Sequence, residues 1–70
     1  METHSRPVVA SAADDAAALF DLGLHYAGAH DYVQAHKWLN LAAAQGSNAA
    51  RTVRAEIAQD MTPDQIAEAQ

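Results

Sequence analysis

Leu19-Phe20-Asp21-Leu22-Gly23-Leu24-His25-Tyr26 and, after a short gap, Ala35-His36-Lys37-Trp38-Leu39-Asn40-Leu41-Ala42-Ala43-Ala44-Gln45-Gly46 are the two stretches on which the architecture turns. In the first, Leu19, Leu22, Gly23 and Tyr26 fall at i, i+3, i+4 and i+7, the spacing that gathers side chains on one face of an α-helix. Glycine inside a helix is about 1 kcal/mol worse than alanine. A glycine within an apolar face therefore marks a point where another helix passes close. In the second stretch, Ala35, Leu39 and Ala42 repeat the device, with small residues flanking a large one. Two such helices are expected to pack as an antiparallel hairpin, with Tyr26 and Leu39 filling the space between the small residues.

Start and stop signals bracket these faces. Ser11 and Asp14 have the spacing of an N-terminal cap, which predicts a first helix over about Ala12–Ala27, with Gly28 supplying the left-handed stop. Asp31, with Gln34 three residues on, opens a second helix over about Tyr32–Gln45 that ends at Gly46. Ser47 or Asn48 caps a third, running to about Asp60, with Val53 and Ile57 on one side and Arg51 and Arg54 on another. Thr62-Pro63-Asp64-Gln65 joins a hydroxyl cap, a proline at the first helical position and a glutamine three residues after the cap. The fourth helix that follows has about eight residues, too few to be stable alone in water. Met1–Ala10 shows no helical period, so residues 1–10 are expected to form a flexible lead-in. Residues 11–70 then make one α/α domain, with a hairpin over 11–46 and cap-like helices over 47–70. No run alternates with period two, and eighteen alanines favour helix throughout. The expected class is all-α, with roughly four helices.

Size and charge narrow the function. The chain has 70 residues, 50% of them hydrophobic but only 6% aromatic, and below about 70–80 residues one core rarely supplies more than ~3–5 kcal/mol. With no cysteine there is no disulfide to help, no thiolate nucleophile and no cysteine zinc site. A net charge of −5 has the wrong sign for neutralising phosphates, so neither nucleic acid nor an anionic membrane surface is an expected partner. No apolar run has the length of a membrane span and no basic segment precedes an apolar block, which makes the cytoplasm the default expectation.

Leu19-x2-Leu22-Gly23-x2-Tyr26 followed by Ala35-x3-Leu39 resembles the tetratricopeptide repeat, whose pattern reads large-x2-Leu-Gly-x2-Tyr, then Ala-x3-aromatic, then proline. Leucine stands here for the usual tryptophan and for the aromatic, and Ser47 for the proline. Ala35-x2-Trp38-x3-Ala42-Ala43-x-Gln45-Gly46 is similar to the second helix of the related Sel-one-like repeat, although the connection Gly28-Ala29-His30 is shorter than that family's. The ending from Met61 to Gln70 is similar to tails that follow the last repeat in short bacterial members. The resemblance covers Ala16–Gln70. Displaced by one repeat, Leu19 falls on Val53 and Ala35 on Ala69, but Gly23 falls on Ile57 and Tyr26 on Asp60, so the chain holds about one and a half repeats. Arrays of this kind need three or more units to bury a continuous core. Exposed flanks are then expected to be covered by a second copy of the chain, which is the favoured expectation and predicts a homo-oligomer, by a partner, or by residues beyond Gln70.

The resemblance implies a partner-binding face on the outer side of the first helix, formed by Ala17, Phe20, Asp21, Leu24 and Ala27 and continued one repeat later by Arg51 and Arg54. An apolar strip beside two cations suits a protein or peptide segment bearing an acidic group. The competing reading is that Phe20 and Leu24 pack against the N-terminal segment or a second subunit. The expected function is a non-catalytic interaction or scaffold module, with a structural capping or homodimerising fragment as the alternative; no cofactor and no metal are expected. His25, His30 and His36 lack the spacing of a ligand set. Ser11, Ser47 and Thr62 read as helix caps rather than nucleophiles, and the family pattern places Trp38 between repeats rather than against a ligand.

Overall fold

The computed structural model describes residues 15–70, which form four helices: α1 (Ala16–Gly28), α2 (Tyr32–Ala44), α3 (Asn48–Ala58) and α4 (Pro63–Ala69). The class is all-α, with no strand among the described residues. The largest interface lies between α1 and α2, the next between α2 and α3, while α4 closes against α2. The second helix is thus the one against which the other three are assembled.

Short polar side chains set the helix starts. Asp31 accepts from the Gln34 backbone N–H at 3.3 Å and Ser47 Oγ from that of Ala50 at 3.0 Å, each satisfying an orphan donor of the first turn. At α4 the exchange is reciprocal. Thr62 Oγ1 accepts from the Gln65 N–H at 3.1 Å, Gln65 Oε1 accepts from the Thr62 N–H at 2.9 Å, and Pro63 occupies the first turn. The first helix begins later than expected, at Ala16 rather than Ala12. Asp15 is extended and accepts from the Ala17 N–H at 2.9 Å, so the second of two adjacent aspartates caps this helix. The expected Ser11 cap and the lead-in over 1–10 lie outside the described residues. The third helix ends at Ala58, two residues short of Asp60, and the fourth has seven residues.

The two long helices stop by the same device, but not with the same residue type. After α2, Gly46 takes φ +103°, its N–H donates to the Ala43 carbonyl, and the Ser47 N–H donates to that of Ala42 at 3.0 Å. This is the paired bonding of a Schellman stop. After α1 the left-handed residue is His30, at φ +61°, not Gly28, which is still helical. The bonds repeat the pattern, His30 N–H to the Ala27 carbonyl and Asp31 N–H to the Tyr26 carbonyl at 2.9 Å. The stop falls two residues beyond the glycine, and histidine is among the side chains that tolerate the left-handed region better than most.

The core is built from small residues around one large one. Leu39, Ala35, Ala42 and Ala50 are fully buried, joined by Leu19, Ala43, Ile57, Met61 and Ala69. Phe20, Tyr26, Trp38, Val53 and Ile66 pack against this cluster from its edge. Gly23 is buried too, and a Cβ added there would stand 2.5–2.6 Å from Cδ2 and Cγ of Leu39. The glycine is therefore the notch into which Leu39 fits. Leu22, expected on the same face, is 39% exposed. At 100° per residue it lies on the opposite side of Leu19 from Gly23, on the rim of the stripe. Met61 and Ala69 anchor the two ends of α4, which is how a helix too short to hold alone stays in place.

Candidate partner-binding surface

On the outer side of α1, Ala17, Asp21 and Leu24 are exposed, while Phe20 and Ala27 are half-buried. Phe20 and Ala27 pack against the core cluster and so serve the fold. Leu24, 42% exposed, is the large apolar side chain on this side that is open to a second molecule. Tyr26 turns inward, its ring meeting that of His25 edge-on at 5.2 Å between centroids.

Arg51 and Arg54 lie one turn apart on α3 and share an open groove of about 430 Å³ with Asn40, Ala43 and Ala44 of α2. Arg54 is half-buried and donates from Nη1 to Asn40 Oδ1. The structure thus brings the two arginines together, but against the second helix: Phe20, Leu24 and Ala27 do not line their groove. Asn40, Ala43 and Ala44 were not anticipated as its other wall. A signal for them exists in the sequence, because Asn40, Ala43 and Ala44 share a helical face at i, i+3 and i+4. A neighbouring groove of about 310 Å³ is lined by Lys37, Asn40, Leu41, Ala69 and Gln70, and Leu41 is 50% exposed.

The three histidines of the described region do different things. His25 and His30 are exposed, and the His30 ring lies 5.9 Å from that of Tyr32. His36 is buried, and its Nδ1 has no hydrogen-bond partner among the described residues. Among those residues no group of three or more His, Asp or Glu side chains gathers as a metal site, and no described helix is long and apolar enough to cross a membrane. Trp38 is half-buried against the core, with its Nε1–H also buried and unpartnered there.

Burial first, and then the nearby Arg54 guanidinium, hold the His36 imidazole below its ordinary value of 6.5. Both causes disfavour the charged ring. The unfolded chain consequently binds this proton at a higher pH than the folded one. Stability from His36 is complete above the ordinary value and declines as pH falls through it towards the lowered one. Melting curves between about pH 7.5 and about pH 5.5 are expected to show this loss, and His36→Gln is expected to flatten the slope over that window. An equal slope in the variant would assign the acid sensitivity to other groups.

No family model, curated protein or solved structure matches the chain.

Proposed function

We propose that the chain is a small α/α-repeat interaction module of the tetratricopeptide and Sel-one-like kind, which binds a protein segment across the outer side of α1 and has no chemistry of its own. The observation that supports this reading is Leu24, a leucine 42% exposed on a helix whose other face is packed against α2. The repeat assignment rests on the motif residues: Leu19, Ala35, Leu39 and Ala42 are buried, Gly23 is the notch, and Gly46 closes the second helix. Leu24→Glu is the direct test. A surface substitution of this kind is expected to change stability by no more than about 0.5 kcal/mol, so the variant should melt like the parent. It should fail to retain the protein that the parent captures in a quantitative pull-down. Capture by the variant equal to the parent's would end the reading. Phe20→Glu is the poorer test, because Phe20 packs on the core and its loss disturbs folding directly.

A second reading, self-association, is favoured by Leu41, which is 50% exposed beside α4. Light scattering across a dilution series separates the two. A dimer that persists on dilution and dissociates in Leu41→Glu supports assembly through this second flank, and a monomer at all concentrations leaves the adaptor reading alone.

A further inference from the structure

The two arginines of α3 are placed at a cost that nothing in their own helix offsets. Like charges three positions apart on a helix repel, and no Asp or Glu stands three or four positions from either Arg51 or Arg54. Nine acidic residues against four lysines and arginines leave the chain well supplied with carboxylates for pairing. Among the described residues Arg54 donates instead to a neutral amide, that of Asn40. This bond and the half-burial of Arg54 hold its guanidinium over the α2–α3 seam, close enough to the buried His36 for its charge to be felt there. The groove beside it is also lined by Ala43 and Ala44, whose methyl groups offer the guanidinium groups no hydrogen bond.

Asn40 lines both this groove and the one that contains Leu41. A recess lined by two arginines therefore adjoins one in which Leu41 and Ala69 stand with Lys37 and Gln70, and Asn40 is common to both. We propose that the α2–α3 groove binds the carboxylate of an acidic side chain in a partner protein segment, with a neighbouring apolar side chain of that segment lying on Leu41. Arg51 and Arg54 supply charge-assisted hydrogen bonds to the carboxylate oxygens, and Asn40 Nδ2–H remains to donate, since its Oδ1 is occupied by Arg54. A singly charged carboxylate suits the site better than a polyanion, because the rest of this acidic chain repels each added negative charge. The inference borrows from the interaction reading only the nature of the occupant; the groove and its residues are separate from the Leu24 side of α1.

The test is a nuclear magnetic resonance titration of the full chain with propionate, the singly charged end of a glutamate side chain, with chloride and inorganic phosphate as parallel arms at matched ionic strength. Propionate is expected to give saturable shifts at the Nε–H groups of Arg51 and Arg54 and at the Asn40 side-chain amide. An acetylated Leu-Glu-Leu amide should shift the same signals and, in addition, the Leu41 methyls. Arg51→Gln, an exposed position that should leave the fold intact, is expected to weaken both probes by about tenfold, the effect of about one charged hydrogen bond. Shifts no larger than those from chloride, or unchanged affinity in Arg51→Gln, overturn the proposal, and phosphate binding more tightly than propionate overturns the choice of a singly charged carboxylate. Failure of Leu24→Glu to alter partner capture does not touch this result, so the two proposals fail separately.

Discussion

Leu39→Ala is expected to unfold the domain. Leu39 is fully buried between Gly23 and the alanines of the core, and removing such a side chain typically costs about 2–5 kcal/mol, the lost transfer energy plus the cavity left behind. A core of this size supplies no more than ~3–5 kcal/mol in all, so one truncation removes most of the margin. The cavity has little chance to close, because the walls are backbone and methyl groups already in contact. Far-ultraviolet circular dichroism should show most of the helical signal gone at room temperature. Leu39→Met, which roughly conserves volume, should cost less than about 1.5 kcal/mol and keep the fold. If Leu39→Ala melts cooperatively near the parent, the nesting of Leu39 against Gly23 is not what holds α1 to α2.

Gly23→Ala tests the same contact from the other side, and here the sign is informative. By helix propensity alone the change should stabilise by about 1 kcal/mol. The new methyl, however, would stand 2.5–2.6 Å from Leu39 Cδ2 and Cγ, and 3.4 Å from the Leu39 backbone nitrogen. Leu39 is fully buried and can move aside only by displacing its neighbours, and overpacking of this kind costs about 1–3 kcal/mol, enough to outweigh the gain. The variant is expected to be net destabilised, with the melting temperature lowered by several degrees. Gly28→Ala is the control. Gly28 is the last helical residue, has a negative φ and would place its Cβ against nothing within 4 Å, so a propensity gain, smaller than in a helix interior, should appear there with no packing cost against it. In the Leu39→Met background, which keeps the fold and replaces the branched side chain by one that can bend aside, Gly23→Ala should cost less than in the parent, a difference that a double-mutant cycle reads as coupling between the two sites. Additive effects would place the obstruction elsewhere.

What was legible in the chain was what is local. Asp31, Ser47 and Thr62 each cap the helix they precede, because a cap depends on a side-chain oxygen and on backbone amides only two or three residues away. Gly46 takes its left-handed place for the same reason. The 3.6-residue period found the Leu19–Gly23 and Ala35–Leu39–Ala42 faces, since burial at helical spacing is written directly in the order of residues. Where two neighbours compete for one role the reading slipped: Asp15 rather than an earlier residue caps α1, and His30 rather than Gly28 turns left-handed.

The candidate site was legible only in pieces. Phe20, Leu24 and Ala27 stood out on one helix face and Arg51 and Arg54 on another, but the wall that completes the arginine groove comes from α2. The hydrogen bond that joins Arg54 to it spans 14 positions. Nor does composition say which of eighteen alanines are buried. Alanine is at home on either side of a helix, so the burial of Ala50 and Ala69 and the exposure of Ala44 follow from where α3 and α4 settle.

The amino-acid order alone therefore set the number of helices, most of their ends and the notch by which the first two meet, all through contacts within a few residues or one helical face. Packing in three dimensions decided which residues the notch would serve, which histidine would be buried neutral beside a guanidinium, and that the two arginines would face the second helix rather than the first. Those outcomes depend on the angle and height at which separate helices come to rest, and that is settled by the shape of the whole core rather than by any one segment.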